Sequence, residues 1–391
     1  MSDQSVSARR SDRPRTAPPP SGIARAAPAL LGYAAVRALG TAILLAAAAV
    51  QGEDALHRLN GRWDSVWYVR IAEYGYGYEV MLPDGSVHSD LAFFPLLPAL
   101  ERAVSEMLPV GAATAGLAIG WLAALAAAWG IHAVGAHVAG QRTGVLLAVL
   151  WGVCPTAFVQ SMAYTETLFT ALAAWSLYAV LNDRWIAAGT LCALAGLTRP
   201  SAVALVAALG VTVLVRLLRR DLTRRTAVGA VVGAVVAPLG WLGYAAFVAV
   251  RRGSPTAYFE VQAAWGNEID GGVALARFVV GHLTGPDPLA GVGLIAALGL
   301  LLWVLWLCVK QGLPLPLLVY TAGIVVVSLV GAAYFGSRPR LMMPAFPLLL
   351  PAAAALARPA RRSVVIVVTV VLLALASGVY GAFTLLGTGP P

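Results

Sequence analysis

The chain has 391 residues, of which 59% are hydrophobic and only 12% charged, about half the charged share of an average soluble domain, so an ordinary soluble fold is excluded and the membrane class remains. The net charge of +9 comes almost wholly from arginine, Lys310 being the one lysine, and the arginines are scattered among short loops between apolar runs. That pattern is topological rather than a binding face, and nucleic acid is not an expected partner.

Residues 1–28 are rich in Ser, Pro, Arg and Ala without apolar periodicity and read as a disordered cytoplasmic tail. Arg9, Arg10, Arg13, Arg15 and Arg25 precede a first apolar run at 29–50, which is longer than the core of a cleavable signal and reads as a retained anchor with its start inside. The loop 51–108 then lies outside. A span needs roughly 20 apolar residues, and further runs fall near 112–138, 145–160, 165–181, 185–197, 202–218, 227–250, 289–309, 315–334, 341–356 and 363–386. About eleven spans result, and that parity places Arg142, Arg184, the run Arg219–Arg225, Lys310 and the run Arg358–Arg362 on the cytoplasmic side together. Pro155, Pro200 and Pro339 sit at or near the outer ends, where helices tend to stop. Cys154, Cys192 and Cys308 fall inside predicted spans, with neither metal-ligand spacing nor a disulfide framework.

The stretch Arg62–Met107 holds seven of the 18 acidic residues together with a dense set of Trp and Tyr. So many carboxylates beside a bilayer point to chemistry or binding at the water–lipid boundary. Asp64, Trp67, Tyr68 and Ile71 share one face of a short helix, with one carboxylate beside aromatic and apolar groups that suit headgroup depth. The plain alternative makes Asp64 a helix N-cap.

RWDSVWYVRIAEYGY followed by AFFPLLPAL, then MAYTETLFTAL, AGLTRPSAV and SRPRLMMPAFPLL, in that order, resemble the PIG-V-like mannosyltransferases of the GT-C superfamily. The resemblance covers roughly residues 30–360, with Leu341 standing where the family usually has Tyr. It implies an all-α polytopic membrane protein: a GT-C-like bundle of about eleven transmembrane helices, with interfacial helices in the first outer loop and 29–386 as the catalytic domain. It also implies an inverting transferase that takes mannose from a polyprenyl-phosphate carrier on the extracytoplasmic face of the cytoplasmic membrane, with Asp64 matching the family's base. One base suffices, because a lipid phosphate leaves without being protonated.

A leaving phosphate needs cations. Arg199, at an outer helix end, is the first choice, and Arg338 and Arg340 follow, against the plain readings of a snorkelling or carboxylate-paired arginine. Glu166 either orients Arg199 and the sugar or answers the dipole of its own helix. Tyr164, Trp67, Arg70 and His88 complete the sugar or orienting set; Arg70 with Glu73 also has the spacing of an ion pair, and a lone loop histidine is usually solvated. The turn Pro83–Ser86 reads as structural. A second short helix, 96–108, is expected to dock its apolar face on the membrane and frame a lipid groove. In 251–288, Trp265, Asn267, Glu268 and Asp270 form a polar cluster that suits an acceptor. No cofactor is expected; a weak Mg or Mn site assembled from separate loops is the one metal arrangement left open. A transporter or flippase for a lipid-linked sugar is the rival class, but no repeat is evident and the charges, Arg37 apart, lie at span ends. Another sugar donor is the rival within the class, and the acceptor is unspecified.

Overall fold

An apolar chain in a bilayer has no water to satisfy its peptide groups, so helices are forced on it. The computed structural model describes residues 22–83, 85–332, 334–358 and 363–389, and they are almost entirely helical. Helix α1 runs Gly22–Gln51, starting before the expected 29. Ala26 and Ala29 are fully buried, and the Gln141 amide donates to the Arg25 carbonyl, so residues 22–28 belong to the bundle. The rest of the expected tail, residues 1–21, lies outside the described residues, as do Asp84 and residues 359–362.

The first loop carries short elements. Helix α2 (Ala55–Asn60) is capped by Asp54, whose carboxylate accepts from the Leu56 and His57 amides. Helix α3 (Asp64–Tyr74) follows, then an antiparallel hairpin of β1 (Glu79–Met81) and β2 (Val87–Ser89), with Val80 opposite His88. Asp90 is buried and accepts from the Gly77 and Tyr78 amides, which closes the hairpin base. Helix α4 (Leu96–Met107) returns the chain to the bundle. One side of it docks on protein: Leu97 packs with Tyr68, Ile71 and Phe93, and Glu101 lies against Gly116, while Met107 at its end is exposed.

The bundle proper comprises α5 (Ala112–Ala139), α6 (Gln141–Gly152), α7 (Thr165–Leu181), α8 (Trp185–Gly196), α9 (Ala202–Leu218), α10 (Arg224–Val236) and α11 (Leu239–Arg252). After two outlying helices, α12 (Ala257–Ala264) and α13 (Val273–Thr284), come α14 (Pro288–Lys310), α15 (Leu315–Val330), α16 (Arg338–Leu341), α17 (Leu350–Leu356) and α18 (Ser363–Leu386). Among the described residues, five helical stretches are long and apolar enough to cross a membrane, counting α10 and α11 as one. Two further apolar pairs of helical pieces are sharply bent: α6 bends by 83° into a 3-10 turn at Pro155–Ser161, and the Phe335–Leu341 piece bends by 76° into Phe346–Leu356. Shorter apolar helices complete the bundle. Both breaks coincide with prolines, which cannot donate to the preceding turn.

Small residues let these helices meet closely. A Cβ on Gly233 of α10 would collide with the Trp185 carbonyl of α8, so only glycine permits that crossing. The core gathers Trp151, Phe169, Tyr320 and Phe346 among many alanines, whereas α14 exposes Leu300, Leu302 and Trp303 as a lipid-facing side does. At one pole, Arg216 pairs with Asp183 and Asp221, on the side where Gln141 reaches Arg25. At the other, Arg58 and Arg62 reach the Gly387 carbonyl and Arg251 reaches the Tyr76 carbonyl. The first helix therefore begins at one pole and the last ends at the other.

Candidate active site

Four charged side chains meet at the second pole. Asp64 is the first residue of α3. It is not the cap of that helix: Trp63 holds the cap position, and the Asp64 amide donates to the Tyr164 hydroxyl at 3.2 Å. Its Oδ2 accepts from Arg340 Nη1 at 3.0 Å. Arg340 also sets its Nε 3.4 Å from Glu166 Oε1, and its guanidinium lies 5.2 Å from the Tyr164 ring centroid. Glu166 in turn holds Arg199 Nη1 at 2.5 Å. The order Asp64–Arg340–Glu166–Arg199 thus joins carboxylates and guanidiniums alternately, from four segments far apart in sequence.

Exposure separates the roles. The side chains of Glu166, Arg199 and Arg340 are 2%, 10% and 12% exposed, while that of Asp64 is 30% exposed. Of the four, Asp64 is the most exposed. The local causes are plain. Glu166 lies in the first turn of α7, where the helix dipole favours a carboxylate. Arg199 follows the end of α8 in a Thr198–Pro200 turn that cannot continue as helix. Tyr68, one turn on from Asp64, is buried, with its hydroxyl 3.3 Å from Thr165 Oγ1.

Trp63, just before Asp64, has φ 53° and ψ −126°, a conformation that suits glycine at the first central position of a II′ turn. A tryptophan there costs about 1–3 kcal/mol. Strain of that size beside Asp64 means that the surroundings over-determine the turn, and no residue pattern in the chain signals it.

The other expected residues divide into two groups. Arg338 does not join the charged centre: it donates to the carbonyls of Ser328, Leu329 and Gly331, closing the end of α15. Trp67, Arg70 and His88 build an aromatic wall. Trp67 stacks on Phe93 at 5.4 Å and meets Trp265 edge-on; His88 stacks on Trp265 at 4.1 Å; Arg70 lies 3.5 Å over the Tyr78 ring rather than pairing with Glu73. The cluster in 251–288 is not one site. Trp265 donates to the Ser89 carbonyl, Asn267 to Gln262, and Asp270 caps α13 through the Gly272 and Ala274 amides. Trp265 is the residue missed for the wall, since only the fold brings α12 onto the hairpin.

Among the described residues, no group of three or more His, Cys, Asp or Glu is arranged to hold a metal ion. Between Asp64 and Glu166 the bridging position is filled by the Arg340 guanidinium.

The family model of the mannosyltransferases (PIG-V) matches residues 37–254. No curated protein gives a significant sequence match. Among solved structures, ArnT from Cupriavidus metallidurans, crystallised bound to undecaprenyl phosphate, superposes with a TM-score of 0.52 at 13% identity, over 89% of this chain and 76% of that one. The oligosaccharyltransferase AglB from Archaeoglobus fulgidus, in complex with an inhibitory peptide and a dolichol-phosphate, gives 0.45 at 13% identity, over 92% of this chain and 56% of that one. The bundle therefore has the GT-C fold, and the chain is a multi-pass membrane glycosyltransferase that belongs to the PIG-V mannosyltransferase family.

Proposed function

We propose that this protein is an inverting transferase moving mannose from a polyprenyl-phosphate carrier to a hydroxyl of a glycan, lipid or protein on the extracytoplasmic face of the cytoplasmic membrane. Residues 29–386 form its catalytic domain, and the loop 51–108 brings the base. The observation that carries this reading is the alternating Asp64–Arg340–Glu166–Arg199 chain, most exposed at Asp64. That an undecaprenyl phosphate is bound in ArnT, a protein of the same fold, supports a carrier of this class.

The chemistry follows from the charges. The donor phosphate competes with Asp64 for Arg340, and once that guanidinium turns to the phosphate, Asp64 Oδ2 is free to accept a proton. The acceptor oxygen loses its proton to Asp64 and attacks the anomeric carbon from the face opposite the phosphate. The C1–O bond to phosphate breaks, and its electron pair leaves on the polyprenyl phosphate. One displacement inverts the anomeric centre. Arg199 and Arg340 steady the charge gained by the leaving phosphate, and their burial strengthens them, each donor of this kind contributing about 10²–10³ in rate. Glu166 keeps both guanidiniums aimed.

Asp64→Asn tests the assignment. The variant should accumulate in the membrane and unfold at the wild-type temperature, while mannose transfer from polyprenyl-phosphate mannose falls by about 10²–10⁴. Wild-type turnover in that variant would remove the base. A panel of polyprenyl-phosphate sugars tests the donor, and turnover of a different sugar in place of mannose would reassign it.

A further inference from the structure

The strained turn before Asp64 is held from a distance. Within it, the Arg62 amide donates to Ser65 Oγ, which donates back to the Arg62 carbonyl at 2.6 Å. Those bonds close the turn, as does the Val66 amide donating to the Trp63 carbonyl at 3.2 Å. The Arg62 side chain adds a longer reach. Its guanidinium lies 4.1 Å from the Trp63 ring centroid, while Nη1 donates to the carbonyls of Leu385 at 3.4 Å and Gly387 at 3.0 Å. These are orphan carbonyls at the end of α18, where a cation is favoured by hydrogen bonding and by the helix dipole. Arg58 reaches the same Gly387 carbonyl at 3.5 Å and is itself tied to Glu53 at 2.8 Å. Farther down, α18 is anchored in the bundle: Gly378 packs against Ile43 of α1, and Ser377 donates to the Cys154 carbonyl.

We infer that Arg62, braced against the end of α18, is a positioning residue that presses the Trp63 ring into place, holds its backbone at positive φ and so aims Asp64 at the reacting hydroxyl. This rests on Asp64 being the base. Without the brace, Trp63 relaxes to negative φ, the start of α3 rotates, and Asp64 swings away from Arg340. A residue that merely capped α18 would have no such link to the backbone at position 63.

Glycine supplies the test, because it takes positive φ without support. Arg62→Ala should lower kcat for mannose transfer about tenfold or more, with the donor KM within about twofold. In a Trp63→Gly background, the same Arg62→Ala change should cost less than about threefold, since the turn no longer needs holding. Equal losses in both backgrounds, or an effect confined to KM, overturn the inference. If Trp63→Gly does not accumulate in the membrane, Arg62→Lys decides, because an ammonium lacks the planar face that lies on the ring. Reduced kcat with unchanged donor KM supports the role, and wild-type kcat or a change in KM alone overturns it. The two readings fail separately. An active Asp64→Asn removes the base while the coupling of positions 62 and 63 stands as measured; an inactive Asp64→Asn without that coupling removes only the part given to Arg62.

Discussion

Arg338 and Arg340 lie two residues apart in one four-residue helix and do different things. Arg340 bridges two carboxylates, whereas Arg338 closes the end of α15 through three backbone carbonyls. Arg340→Ala should therefore cut turnover by about 10² or more at a given donor concentration. Arg338→Ala should leave the donor KM within about twofold and instead cost about 1–3 kcal/mol of stability, from buried carbonyls left unpaired. Unfolding temperature and steady-state kinetics on both variants separate the two; an equal rise in donor KM would show that the division is wrong. The sequence could not make this distinction. Asp64, Glu166, Arg199 and Arg340 were legible because each sits in a short polar string at the end of an apolar run. Which arginine of Ser337–Arg340 turns inward depends on the phase of a single helical turn between 3-10 pieces, and no periodicity can be read from four residues. The aromatic wall needed the meeting of β2 with the end of α12, where Trp265 and Ser89 lie 176 residues apart.

At the scale of elements, α4 shows what an amphipathic pattern leaves open. Its apolar pattern suits a membrane surface, yet Leu97 packs against α3 and Glu101 is buried against α5, while Met107 stays exposed. Patterning marks which face is covered and not whether lipid or protein covers it. In the same way, the runs at 145–160 and 341–356 were legible as apolar helical segments, but their bends were not, because a proline in such a run marks a weak point without giving an angle. Neither Glu101 carboxyl oxygen has a hydrogen-bond partner. Burial first, then the nearby Glu73 carboxylate, pushes this acid up to about 9. The folded state thus prefers the neutral acid far more than the unfolded chain does. The docking of α4 carries no charge penalty below about pH 4.3, and stability is lost progressively from there up to about 9, on the order of 3 kcal/mol by neutral pH. Glu101→Gln removes the ionisation. The unfolding temperature of the wild type should fall between pH 5 and 9, and that of the variant should stay nearly level. Parallel curves for the two proteins would mean that Glu101 is already charged at its place against Gly116.

At the scale of the molecule, the two poles use their arginines differently. At the site pole most are occupied: Arg58 with Glu53, Arg252 with Glu79, Arg251 with a carbonyl, Arg199 and Arg340 with Glu166 and Asp64, and Arg62 and Arg338 with helix ends. At the opposite pole, Arg142, Arg184, Arg219, Arg220, Arg224 and Arg225 have no carboxylate partner among the described residues. Structure or chemistry accounts for the first group; only orientation accounts for the second, through the excess of basic residues in short cytoplasmic loops. On the proposed orientation the arginine-rich pole faces the cytoplasm and Asp64 faces outward, where the proposed lipid-linked donor and an acceptor would meet. Because α1 starts at one pole and α18 ends at the other, two cysteine positions settle it. Asn182→Cys lies in the short link between α7 and α8 beside the Arg216–Asp183 pair, and Thr388→Cys lies past the end of α18. The native Cys192 and Cys308 are buried and Cys154 is half-buried within the bundle, so the wild type should react little. A membrane-impermeant thiol reagent on intact cells should label Thr388→Cys and leave Asn182→Cys untouched until the cells are opened. The reverse pattern would put Asp64 in the cytoplasm, away from an extracytoplasmic donor, and the proposed reaction could not take place there.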